Sequence, residues 1–244
     1  FIDRGIPTGA NGKPVEDFED IVFGDPNLNT TELQAHLFRA GLQHDFTDNL
    51  KGNLSAFYGN YDKLYQNFYA SSYNELATPD EVTLDGYLDT TERENLILSG
   101  NLIWEAATGD INHTIVMGGE YINTSSDQDR YNSFWNTTLD DNETFAIADR
   151  LALRGGVGVN ASGLATINTF STDINDDTRV DIDVNSFYIQ DEVELTEFIH
   201  LIIGARYDSF DIDVFNAVAN ESRSRRDQEV SPRGGLVFKP QEDI

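Results

Sequence analysis

The chain contains no cysteine, which excludes disulfide scaffolds and thiolate chemistry, whether at zinc, at iron–sulfur clusters or in nucleophilic catalysis. Positive charge is scarce: 16 Lys and Arg stand against 43 Asp and Glu, a formal net charge of −27 over 244 residues. A nucleic-acid binder needs a basic stripe to displace counterions from phosphates, and none is present. No apolar run approaches the roughly 20 residues of a membrane helix, and the first residues carry no signal-peptide pattern. Disorder is also excluded, because 11% aromatic and 39% hydrophobic content is spread along the whole sequence. One kind of membrane protein remains compatible, the β-barrel, whose strands alternate and never form a greasy block.

What is present alternates. In 33–46 (LQAHLFRAGLQHDF), His36, Phe38, Ala40, Leu42, His44 and Phe46 share one face; in 50–61, Leu50, Gly52, Leu54, Ala56 and Tyr58 do the same. The polar triplet 47–49 joins them, so the two segments read as a hairpin. A second hairpin is predicted from 95–105 (NLILSGNLIWE), a turn at 106–110 and 111–122. A third joins 186–196 (SFYIQDEVELT) through 197–198 to 199–213, and 229–239 opens a further strand. The connections on the other side are much longer, over 62–94, 123–185 and 214–228, and they gather the acid, as in 125–130, 140–143 and 173–183. Short turns on one side and long polar loops on the other are the layout of an outer-membrane barrel. Tyr58, Tyr61, Trp104, Tyr121, Tyr188 and Tyr207 lie near strand ends, where they would form an aromatic girdle. The competing account is that Tyr and Trp are simply good strand residues.

The length allows about seven transmembrane strands of about ten residues each. Single-chain bacterial barrels use an even number, and an open sheet would leave two bare edges. The expectation is therefore a piece of a larger all-β, antiparallel transmembrane barrel.

Four runs carry a family resemblance. They are DRGIPTGANGKPV at 3–15 with FGDPNLN at 23–29, HDFTDNLKGNLSAFYG at 44–59, FYIQDEVELTEFIHLIIGARYDSFDID at 187–213, and SPRGGLVFKP at 231–240. In this order they resemble the barrel of a TonB-dependent siderophore receptor (ferrichrome-type) of the bacterial outer membrane. The resemblance implies about seven strands of a ~22-stranded barrel, with an N-terminal plug and closing C-terminal strands outside residues 1–244. It implies no enzyme activity. The expected partners are a ferric siderophore, the TonB complex through the plug, and the lipopolysaccharide and lipid of the outer membrane. Iron would remain in the siderophore's own oxygen ligands, so no protein metal site is required.

Alternation places Arg206 and Asp208 on one strand face, opposite Ala205 and Tyr207, and by the same count Glu120 and Arg233 belong to the lumen. The resemblance makes these four plug-facing; a solvated channel wall is the plain alternative. Arg4 and Asp25 in the first run are candidates for the same contact or for local turn pairing. The loop aromatics Tyr69, Tyr73, Tyr87, Tyr131, Phe134 and Trp135 are the ligand-binding candidates, since rigid rings give contact area at low entropic cost. Their alternative role is packing the loops against one another. His36, His44, His113 and His200 lack the spacing of a zinc site. Asp173, Asp176, Asp177, Asp181 and Asp183 offer oxygens to calcium but lack EF-hand order, and a solvated acidic loop accounts for them equally. Salt screens charge of this density, which suggests a saline habitat. An acidic mouth would suit neutral or cationic chelates. Two other classes remain open: a different outer-membrane transporter or porin, for vitamin B12 or oligosaccharides, and a soluble β-sandwich glycan-binding module.

Overall fold

Long runs that alternate between small or apolar and polar residues give long strands. The computed structural model describes residues 7–21, 23–24, 28–149, 157–170 and 173–239, so Arg4 and Asp25 lie outside the described residues. The strands are β1 (Thr30–Thr47), β2 (Leu50–Asn74), β3 (Glu81–Thr108), β4 (Ile111–Asn132), β5 (Phe134–Trp135), β6 (Asn142–Ala146), β7 (Val157–Val159), β8 (Ala165–Thr169), β9 (Ile174–Thr196), β10 (Ile199–Asn216) and β11 (Glu221–Phe238). The seven long ones form an antiparallel meander in the order β1-β2-β3-β4-β9-β10-β11, and β6 adds to the outer end of β3. β5, β8 and β7 make a small separate sheet.

The expected hairpins are all present, closed by two-residue turns at 48–49, 109–110 and 197–198. Gly109 sits at φ +66°, a conformation that costs a residue with a side chain but not glycine. The far side differs from a set of loops. Most of 62–94 is paired strand, with β2 and β3 in register from Leu50↔Trp104 out to Asn74↔Glu81. β4 and β9 likewise pair as far as Tyr131↔Ile174, and 214–228 is a hairpin with its turn at 217–220. Beyond the lipid both faces of a strand meet water, so the ladder continues while the apolar alternation that announces it fades.

The register sorts the sheet into two faces. One transverse row reads Leu42, Leu54, Gly100, Gly119, Phe187, Tyr207 and Val230; the next row on the opposite face reads Gly41, Ser55, Ser99, Glu120, Ser186 and Asp208. The apolar face is bare: Leu42 is 63% exposed, Leu54 61%, Phe187 63% and Leu236 70%. A continuous apolar band of this extent fits lipid and not water, and the polar face then lines an aqueous lumen. Tyr58 and Tyr121 mark the outer edge of the band, their hydroxyls donating to Glu94 (3.2 Å) and Asp183 (2.7 Å) in the charged rows beyond. Trp104 and Tyr207 also stand on the lipid side. Tyr61 and Tyr188 do not: cross-strand register puts them on the lumen side, so they are no part of a girdle.

The core sits outside the membrane. Phe23, Phe68, Val82, Leu84, Trp135 and Phe145 form a buried cluster, joined by Phe18, Ile21, Leu28, Ala70, Ile147 and Phe170. This crown caps the outer end of the β2–β3 hairpin. Asn29 docks it by lending its side-chain amide to the backbone of Phe68, accepting from the N–H (3.1 Å) and donating to the carbonyl (3.0 Å). β6 takes over the edge of β3 where β4 leaves it, pairing Asn142↔Asp85 through Ala146↔Glu81, so that edge is not left bare.

Candidate functional site: the lumen-side wall

The polar face of β4, β9 and β10 brings three predicted residues together. Arg206 donates through Nε to both carboxylate oxygens of Asp208 (2.8 and 3.1 Å) and reaches Glu120 at 3.5 Å. Ser186 completes the group, its hydroxyl donating to Asp208 at 2.5 Å. The Arg206 guanidinium lies 6.0 Å from the ring centre of Tyr188. Tyr188 in turn covers Gly118, where a Cβ would come within 2.6 Å of the phenol oxygen. Arg233 stands one row nearer the short turns, opposite Gly204, and joins no ion pair among the described residues. A charge placed here avoids the ~2–4 kcal/mol it would cost on the lipid side near the midplane.

Further out on the same face the wall becomes aromatic. Tyr87 packs against Tyr65 (centroids 5.7 Å) and Tyr69 (6.1 Å), and Arg130 lies over its ring at 4.9 Å. Arg130 grips Asp89 with two bonds of 2.6 Å, and the Tyr69 hydroxyl donates to Asp85 at 2.8 Å. The paired carboxylate of Asp89 raises the Arg130 pKa above its usual value. This patch gathers aromatic rings and a neutralised charge pair on the lumen side, a mixture that suits an amphipathic ligand.

Only two of the six predicted aromatics, Tyr69 and Tyr87, meet in this patch. Tyr73 belongs to the crown. Its ring packs edge-on against Phe18 (4.9 Å) and its hydroxyl donates to Asp80 (2.7 Å), a bond that with burial pushes its pKa up to about 12. Tyr131 takes the opposite strand parity from Arg130 and so the other face, while Phe134 pairs with Thr169 in the small sheet. Trp135 is fully buried between Phe68 (5.9 Å) and Phe145 (5.5 Å), with its indole N–H given to the Asp141 carbonyl (3.1 Å). Tyr65 and Arg130 escaped the sequence reading. The signal for them is register alone, since only pairing Tyr65↔Asp89↔Arg130 puts them in one row.

The outward face beyond the lipid is acidic. β9 runs straight through the predicted acidic loop and sends Asp177, Asp181 and Asp183 outward and Asp176 inward. Asp127, Asp129 and Asp177 bring carboxylate oxygens within 4.8 Å of one another. Burial first, then the charges of Asp177 and Asp127, raise the pKa of Asp129, with Arg179 opposing them. A carboxyl with a raised folded-state pKa weakens the fold when ionised, and that penalty is relieved as pH falls through the folded pKa. Asp129→Asn is therefore expected to slow amide exchange at the outer ends of β4 and β9 at neutral pH. The difference from the parent should vanish on acidification towards the usual carboxyl pKa near 3.8. An unchanged exchange pattern at neutral pH would contradict it.

A lipid-facing apolar band, a polar lumen wall and an extramembrane crown define a segment of a transmembrane β-barrel receptor. The chain belongs to the TonB dependent receptor-like β-barrel family, whose model matches residues 3–244. Members of this family are receptors and transporters, not enzymes. The fold is shared with the siderophore receptor PiuA from Acinetobacter baumannii, at a TM-score of 0.71 and 20% identity over 98% of this chain and 36% of that one. It is also shared with BauA, the ferric preacinetobactin receptor from Acinetobacter baumannii (TM-score 0.57, 15% identity, 87% of this chain and 29% of that). The unliganded ferric citrate transporter FecA matches similarly (TM-score 0.57, 15% identity, 88% and 26%). The chain thus spans between about a quarter and about a third of the length of these structures. No curated protein sequence matches it.

Proposed function

We propose that this chain is part of the wall of an outer-membrane receptor that takes up ferric siderophores with energy supplied through TonB. The observation that carries the reading is the lumen-side patch of Tyr65, Tyr69, Tyr87 and Arg130, set above a polar wall in a barrel of this family. The named specificities of PiuA, BauA and FecA support it by fold alone. In this reading the barrel is completed by further strands and an N-terminal plug. Glu120, Arg206, Asp208 and Arg233 face that plug, and lipopolysaccharide and lipid surround the apolar band. Iron is cargo held by the chelate, so the wall needs to recognise the organic ligand and not the metal.

The test is equilibrium binding of radiolabelled ferric siderophores to the full-length receptor in detergent, across hydroxamate, catecholate and carboxylate chelates. Saturable binding of one class is expected, and Tyr87→Ala should weaken it about tenfold, the loss of one aromatic contact. Failure of every class to bind a folded receptor would point to a different cargo. Tryptophan fluorescence is a poor substitute, because Trp104 faces lipid and Trp135 lies inside the crown.

A further inference from the structure

The chain is acidic as a whole, yet most of its strand cations among the described residues gather on one face. Arg39, Lys51, Lys63, Arg93, Arg130, Arg206, Arg223, Arg225 and Arg233 stand on the lumen side, whereas Arg179 and Arg226 are the outward strand cations among the described residues. Many acids of the outer half, among them Glu92, Glu94, Asp127, Asp129, Asp181, Asp183, Asp211 and Asp213, point outward, while Asp85, Asp89 and Asp176 face the lumen. The lumen side carries acids too, among them Asp45, Glu105, Glu120, Asp208, Asp227 and Glu229, so what an anion meets there depends on where unpaired cations cluster.

We infer that the lumen wall holds an oxyanion-binding pocket at Lys63 and Arg93, and that it takes the free carboxylate arm of an anionic ferric chelate. A cavity of about 480 Å3 opens there, lined by Tyr61, Lys63, Thr91, Arg93, Asn95 and Gln128, with Leu33 as its apolar side. Its volume lies in the range of small-ligand sites. Every polar lining side chain carries an N–H or O–H donor and none is a carboxylate. The register makes the cluster compact: Leu33↔Lys63↔Thr91↔Gln128 is one row, and Tyr61↔Arg93↔Ser126 is the next.

The cations are available. Among the described residues neither Lys63 nor Arg93 has a carboxylate within ion-pair distance. Arg93 gives one long hydrogen bond from Nε to Ser126 (3.4 Å), and Lys63 lies 6.0 Å from the ring centre of Tyr65. The acid in the adjoining row, Asp89, is held by Arg130, while Asp62, Glu92 and Glu94 alternate to the other face of the sheet. Arg93 supplies a planar fork matched to a carboxylate and Lys63 a mobile point charge. The aromatic patch begins one row further out, at Tyr65, so one ligand spans both: its apolar or ring portion on Tyr65 and Tyr87, its anionic arm on Lys63 and Arg93.

This inference rests on the proposed chelate-uptake function and names its substrate class. The test measures binding of ferric citrate and of a cationic trihydroxamate chelate, ferrioxamine B, to the full-length receptor, its Lys63→Gln/Arg93→Gln variant and an Arg39→Gln control. Arg39 lies two rows towards the membrane from Arg93, outside the cavity. The parent is expected to prefer ferric citrate at least about tenfold, and the double variant to lose about 30-fold in citrate affinity. Its affinity for ferrioxamine B should stay within about twofold of the parent's, and Arg39→Gln should leave both unchanged. Lys63→Arg, which keeps the charge, should retain most of the citrate affinity and separates a charge role from a folding defect. Tighter binding of ferrioxamine B by the parent, or equal citrate affinity in the double variant, would overturn the pocket while leaving the receptor function standing. Absence of binding by both chelates and by every other siderophore class would remove the pocket and the uptake function together.

Discussion

Replacing Trp135 with alanine is expected to cost the crown about 3–5 kcal/mol, the usual range for emptying a fully enclosed large aromatic site. The indole is fully buried, it meets Phe68 and Phe145 at ring distances of 5.9 and 5.5 Å, and its N–H satisfies the Asp141 carbonyl. Truncation leaves a cavity and a buried acceptor without that donor. Among the described residues, neither this cluster nor the side chains packed on it come from the membrane-crossing rows, so the loss should be local. Limited proteolysis of the purified receptor should show cleavage within 133–170 at temperatures where the parent resists, with the heat-modifiable migration of the barrel unchanged. Equal resistance of variant and parent would show that the crown is held by its strand pairing and not by its aromatic core.

A charge on the lipid side should damage the other half of the molecule. Phe187→Arg is expected to destabilise the barrel by about 2–4 kcal/mol, the cost of an arginine near the bilayer midplane. Phe187 is 63% exposed and lies in the row of Leu42, Leu54 and Val230. It also lies over Gly119, where an added Cβ would come within 3.1 Å of the ring. The matched control is Ser99→Arg, one row away on the lumen side, which should cost less than about 0.5 kcal/mol. Urea-induced unfolding in lipid vesicles reads both. Equal effects from the two substitutions would reverse the assignment of the faces.

Much of the membrane-crossing part was legible from sequence, and the reason is the lipid. Where one face must be apolar, residues such as Leu42, Leu54, Leu98 and Leu102 recur every second position and fix both strand and register. The clustering of Arg206, Asp208 and Glu120 on one wall followed from that count. Past Tyr58 and Tyr121 the constraint lapses. Segments 62–74 and 81–94 have polar residues on both faces, so their sequence reads as loop although their backbone is paired throughout. The crown was hidden for another reason. Phe23, Phe68, Val82 and Phe145 lie far apart in the sequence and share no period, and only the folded hairpin assembles them around Trp135. Lys63 and Arg93 were unmarked for the same reason, since their cavity draws on four strands and none of its residues forms a motif with another.

The length of the β2–β3 hairpin has a mechanical consequence. Residues 81–94 of β3 lie outward of the last apolar row, and at about 3.3 Å per residue they form an arm of about 45 Å. That arm is a continuous hydrogen-bonded ladder down to the turn beside Asn49, with a single register shift between Ala70 and Ser72. It therefore transmits rotation instead of absorbing it. A tilt of about 5° in the barrel wall would carry the crown through about 4 Å, whereas the same tilt moves the residues at Arg206 by a fraction of that. Small rearrangements around the lumen are thus written largest where the molecule meets the surrounding fluid, and a distance probe placed on the crown would be the most sensitive gauge of them.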